Sequence, residues 1–110
     1  MKLFGFSETH AFTKSVLELL SDDAYAQLQL YLSEQPDAGD LIPSGKGIRK
    51  VRWLAKGQGK RSGVRVIYYW AIAHDRILML DIYAKNEKID LSKDELRELI
   101  KAVEFWVVDL

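Results

Sequence analysis

Cysteine is missing altogether from this chain of 110 residues, and proline and histidine occur only twice each. Without cysteine there is no disulfide framework, no thiol nucleophile and no Cys-ligated zinc, and the chain suits a reducing cytoplasm. His10 and His74 stand far apart and neither falls in a ligand pattern, so no metal and no cofactor is expected. No apolar run approaches the roughly 18 residues of a membrane span. In the opening "MKLFGFSETHAF", Glu8 and His10 interrupt any signal-peptide core. There is no GxSxG and no P-loop. "GQGKRSG" sets glycines beside bases, but no helical pattern follows it, as a phosphate-binding loop needs. The expectation is a single cytoplasmic domain over residues 1–110, with no membrane partner.

Net charge is also missing: sixteen Lys and Arg balance sixteen Asp and Glu. The balance hides a segregation. Residues 1–45 hold two bases against seven acids, and residues 66–110 hold six bases against nine acids. Between them, "KGIRKVRWLAKGQGKRSGVR" (residues 46–65) holds eight bases and no acid. A charge run is usually a solvated face. This one also carries apolar and aromatic residues at strand spacing, which a solvated tail lacks, so it reads as an anion-binding surface.

The remaining pattern gives the elements. "MKLFGF" alternates as a short strand. Phe12, Val16, Leu19 and Leu20 fall at helical spacing; Ser21 and Asp22 break that helix and cap a second through Tyr25, Leu28 and Leu32, which stops before Pro36. "PDAGDLIPSGKG" is a loop by composition. "IRKVRWL" has period two, with Arg49, Val51 and Trp53 on one face and Lys50, Arg52 and Leu54 on the other. "VRVIYYWAIA" and "RILMLDIYAK" are strands joined around His74 and Asp75. Ser92 and Glu95 form a capping box ahead of an apolar helix face of Leu96, Leu99, Ile100, Val103, Trp106 and Val107. The order is β-α-α-β-β-β-α. It predicts an α+β fold, a small twisted, mainly antiparallel sheet with its helices on one side.

The candidate chemistry is spread over the strands. Lys50 and Arg52 share a face, and Arg65 opens the next strand with Ile67 and Tyr69 on its own side. A hairpin through the glycine-rich connection brings Lys50, Arg52 and Arg65 together and gathers Lys56, Lys60 and Arg61 at its tip. Fixed cations converging without acids suit a phosphodiester backbone. Tyr69 and Tyr83 are candidates to stack on bases, against the common use of strand tyrosines as core with a hydroxyl at the surface.

In this order and spacing, "GDLIP", "GIRKVRW", "GQGKRSGVRVIYY" and "YAKNEKIDLS" resemble the RelE/ParE superfamily of bacterial type II toxins, in particular its HigB-like branch. The resemblance covers roughly residues 12–107 and is strongest from Gly39 to Leu96. It implies a RelE-like fold and a metal-independent endoribonuclease that cuts messenger RNA in the ribosomal decoding site. Cutting of this kind uses the neighbouring 2′-hydroxyl and leaves a 2′,3′-cyclic phosphate. It further implies a helix-turn-helix antitoxin that holds the toxin inactive and alone carries the contact with operator DNA. By motif position the catalytic set is Lys50, Arg52, Arg65, Tyr83 and Asn86, the last standing where relatives often carry arginine. Arg52 and Arg65 are the charge stabilisers, Lys50 the candidate base, and Tyr83 a base-stacking or proton-transfer group. RNA and ribosome contacts fall to Lys46, Arg49, Lys56, Lys60, Arg61, Tyr69 and Lys85. Two readings compete. One is a ParE-like inhibitor of DNA gyrase with the same fold; the other is a non-catalytic module whose cations serve an acidic partner.

Overall fold

The computed structural model describes residues 3–54 and 63–110. Strand β1 (Gly5–Glu8) leads into helix α1 (His10–Leu19). Thr9 makes the junction: its hydroxyl accepts from the Phe12 N–H (3.1 Å) and donates to the Leu80 carbonyl (2.7 Å). Ser21 caps helix α2 (Asp22–Glu34) by accepting from the Ala24 N–H, satisfying one of the orphan donors of the first turn. A two-residue strand β2 (Asp40–Leu41), β3 (Ile48–Trp53), β4 (Val64–Ala71), a 3₁₀ turn (Ile72–His74), β5 (Arg76–Ala84) and α3 (Lys93–Val107) follow. The sheet order is β1-β5-β4-β3-β2, antiparallel except where β1 lies parallel to β5. Asp75, at φ 49°, turns the chain from β4 into β5.

The helices lie on both faces of the sheet, not on one side. Phe12, Val16, Leu28 and Leu32 pack with Val51, Val66, Tyr68, Ile77 and Met79 on one face. Leu96, Leu99, Ile100, Val103 and Trp106 of α3 pack with Ile48, Ile67, Leu78, Leu80 and Tyr83 on the other. The reason is in the central strands. Val66, Ile67 and Tyr68 are consecutive and buried, as are Ile77 to Leu80. A strand apolar on both faces needs cover on both.

Two local features decide where side chains point. Tyr68, fully buried, accepts from the Gly39 N–H (2.9 Å) and donates to the Pro36 carbonyl (2.7 Å), tying the "PDAGD" loop to β4. Only glycine fits at position 39, because a Cβ there would stand 2.9 Å from both the Lys50 carbonyl and the Tyr68 ring. The second feature is a bulge. Tyr68 pairs with Met79 and Ile67 with Asp81, so Leu80 has no opposite number. The extra residue shifts the phase of β5 by one. Strict alternation from Met79 would send Tyr83 to the α1–α2 face; after the bulge it lies on the α3 face with Leu78 and Leu80.

Candidate functional site

β3, β4 and β5 present a row of three side chains in register on the α3 face: Arg52 opposite Arg65, and Arg65 opposite Tyr83. One pleat along, Lys50 pairs with Ile67 and Ile67 with Asp81. Further along, Ile48, Tyr69 and Leu78 lie under α3. The helix therefore covers one end of this face and leaves the arginine end open. Arg52 is exposed and Arg65 half-buried, and among the described residues neither is ion-paired. Both line a cleft of about 480 Å³ with Gln27, Trp53, Leu54 and Gly63.

Tyr83 is 3% exposed, and among the described residues its hydroxyl has no hydrogen-bond partner. Burial pushes the phenol above its ordinary value of 10.0; Asp90 adds to the rise and Arg65 opposes it. A buried hydroxyl without a partner is costly.

The stretch between β5 and α3 borders the row. Lys50 Nζ lies 3.4 Å from Asp90 Oδ1. Lys88 Nζ lies 2.6 Å from Glu95 Oε2 and 3.7 Å from Asp81 Oδ2. Burial raises the Asp81 carboxyl above its ordinary value, and Lys88 opposes that rise. Among the described residues no cluster of His, Asp or Glu fits a metal ion.

No protein-family model matches the chain. Among solved structures, a double arginine-to-alanine variant of the E. coli toxin RelE in its free state superposes with a TM-score of 0.61. The match covers 93% of this chain and 99% of that one, at 14% identity. The isolated E. coli RelE toxin in its P21 crystal form matches with a TM-score of 0.50 over 91% of this chain and 98% of that one, at 17% identity. The chain has the RelE fold.

Within that RelE fold the residues expected to act sort into distinct groups. Lys50, Arg52, Arg65 and Tyr83 come together on one face. Lys85 and Asn86 are exposed in the turn that leaves β5, where the Lys85 N–H bonds the Gly63 carbonyl at 3.4 Å. Arg49 is on the opposite face, as the alternation predicts. Its guanidinium donates to the Gly39 (2.7 Å) and Asp37 (3.2 Å) carbonyls, so it holds the same loop that Tyr68 holds. Tyr69 packs edge-on against Trp106 at 6.4 Å, at the covered end of the face. Lys46 is exposed in the turn before β3, at φ 54°. Lys56, Lys60 and Arg61 lie outside the described residues. Sequence reasoning missed Gln27 and Trp53 on the cleft wall, and Asp81, Lys88 and Asp90 beside the row. Trp53 was visible as an aromatic next to Arg52, whereas Lys88 sits in a loop where no periodicity marks it.

Glu95 carries a pH dependence. The hydrogen bond from Lys88, then that from the Ser92 N–H, holds its carboxyl below the ordinary value of 4.5. The folded state thus favours the charged form. The stabilisation is present above the unfolded value and is lost as the pH falls through the lower folded one. Asp81, raised by burial, has the opposite sign, so the comparison requires a variant. Glu95→Gln is expected to flatten the fall in melting temperature below about pH 4.5. Equally steep acid limbs in the two proteins would contradict the assignment.

Proposed function

We propose that this protein is a type II toxin of the HigB-like kind, a metal-independent endoribonuclease that cuts messenger RNA on the ribosome. One observation carries the reading: two arginines without an ion pair among the described residues stand in register on neighbouring strands, beside a buried tyrosine hydroxyl that has no hydrogen-bond partner among those residues. Phosphodiester cleavage by a 2′-oxygen asks little else of a protein. The 2′-oxygen must be held in line with the departing 5′-oxygen. The charge gathering on phosphorus must meet fixed cations, and Arg52 and Arg65 supply planar ones. Lys50 adds a third cation on the same face. Tyr83, in register with Arg65, is the proposed proton donor to the leaving 5′-oxygen; its hydroxyl is buried in the free protein, so entering RNA must displace what covers it, and the cleft beside Trp53 is the proposed seat of a neighbouring nucleotide. Lys85, exposed at the rim, is the proposed ribosome contact, and Asn86 beside it keeps its place in the proposed catalytic set.

The same open cationic end is the natural target of an antitoxin, and an acidic segment would speed its encounter with this surface. The cytoplasm, where messenger RNA and ribosomes are, is the proposed location. Among the described residues no helix is long and apolar enough to cross a membrane.

Induction of the chain without a partner gene is expected to stop growth and protein synthesis within minutes. Mapping of RNA 5′ ends should then reveal new 5′-hydroxyl termini inside translated frames. Growth arrest with DNA damage and intact messages would turn the reading to gyrase inhibition. Normal growth with folded protein accumulating would reduce it to partner binding.

A further inference from the structure

Lys88 lies between β5 and α3, and its ammonium stands 4.7 Å from the centre of the Tyr83 ring. Two carboxylates clamp it there, Glu95 at 2.6 Å and Asp81 at 3.7 Å. Glu95 is itself fixed. One of its oxygens accepts from Lys88 and the other from the Ser92 N–H (2.8 Å), while the Ser92 hydroxyl accepts from the Glu95 N–H (3.0 Å). A continuous chain thus runs from the start of α3 through a carboxylate and an ammonium to the face of an aromatic ring. Asp81 takes part because the bulge at Leu80 sets it beside Lys88. The charged groups around Tyr83 come from every neighbouring element: Arg65 from β4, Asp81 from β5, Lys88 and Asp90 from the connecting stretch, and Glu95 from α3.

A cation over an aromatic face is attracted to the electron-rich ring, more strongly when partly dried. A phenolate ring is richer in electrons than a phenol. The contact therefore favours loss of the hydroxyl proton, against the burial and the three acids that oppose it. We propose that Lys88 is a positioning residue: clamped by Glu95 and Asp81, it fixes the Tyr83 ring beside Arg65 and makes its hydroxyl the better proton donor. In the reaction above, the 2′-oxygen bonds to phosphorus and its proton leaves to solvent. The bond from phosphorus to the 5′-oxygen breaks, and the phenol proton passes to that oxygen. Lys88 over the ring and Arg65 beside it steady the phenolate until water returns the proton.

The effect on cutting rests on the function proposed above; the ring contact is tested without RNA. Difluorotyrosine placed at position 83, whose phenol ionises at lower pH than that of tyrosine, is titrated by fluorine NMR in the parent, K88M and K88R proteins. The midpoint is expected to rise in K88M and to stay close to the parent in K88R. K88Q, which removes the charge but keeps a polar side chain, should shift the midpoint the same way as K88M. An unmoved midpoint in folded K88M overturns the proposal; if K88M does not fold, an unmoved midpoint in folded K88Q does so. On programmed ribosomes, with Tyr83 itself, K88M should cut about tenfold more slowly at saturating enzyme, a part of what one acid group contributes. K88R should recover most of the rate. A shifted midpoint with unchanged cutting would leave the clamp standing and overturn the role of Tyr83 as proton donor.

Discussion

Replacing Arg65 with alanine is expected to leave a folded protein that cuts messenger RNA on the ribosome about 10²–10³-fold more slowly, the usual loss when one preorganised charge stabiliser is removed. Arg65 is the middle member of the row, in register with Arg52 on one side and Tyr83 on the other. Among the described residues no other position is paired with both. As a half-exposed side chain without an ion pair among the described residues, it contributes little to the fold; surface changes of this kind usually alter stability by less than about 0.5 kcal/mol. The two effects therefore separate cleanly in a single variant. Arg65→Lys keeps the charge but loses the planar fork and should recover only part of the rate. Single-turnover cleavage on programmed ribosomes, with thermal melts alongside, reads both quantities. Near-normal cutting by a well-folded Arg65→Ala protein would remove the row from the mechanism.

Tyr68 is the opposite kind of residue, and its loss should be felt in stability. It is completely buried, and its hydroxyl serves both the Gly39 N–H and the Pro36 carbonyl. Tyr68→Ala is expected to cost about 3–5 kcal/mol, the range for large aromatics cut back in a core. Tyr68→Phe keeps the ring and leaves a buried donor and acceptor unpaired, at about 1–3 kcal/mol. Because a domain holds only about 5–15 kcal/mol in all, the alanine variant stands near the edge of folding. Urea unfolding at constant m-value measures both losses. Wild-type stability in Tyr68→Phe would mean that the hydroxyl does not hold the loop.

Much of this was written in local pattern. The caps at Ser21 and Ser92, the alternation of β3 and the apolar stripe of α3 each follow from side-chain chemistry within a few residues, and the structure has them all. What local pattern misses is long-range. The parallel seating of β1 on β5 joins segments far apart in the chain. The position of α3 on its own face depends on which strands end up central, and strand order is not a property of any one strand. The bulge is the clearest case. Nothing in "RILMLDIYAK" announces that Leu80 has no opposite residue, yet this places Tyr83 beside Arg65. The cations of β3 and β4 could be grouped by period alone, because the pairing of these two strands is regular. The cluster of Asp81, Lys88 and Glu95 could not, because it joins a bulge, a loop and a helix cap.

The seat of β5 between β1 and β4 has a consequence for how the chain is made. The first strand leaves the ribosome early, but its neighbour in the sheet comes late: Gly5 pairs with Arg76 and Glu8 with Met79. At about 5–20 residues per second, the interval is on the order of several seconds. Throughout it β1 lacks its partner, and once β4 is complete at Ala71 that strand too has one bare edge until β5 is made, a state that invites wrong pairings. The pairing of β3 with β4, which carries both arginines, can begin once Ala71 is made, whereas Tyr83 follows by twelve residues, on the order of one second later. A nascent chain thus holds both arginines before it possesses the whole row, and the last of the described strands to be made is the one that joins β1 to the rest of the sheet.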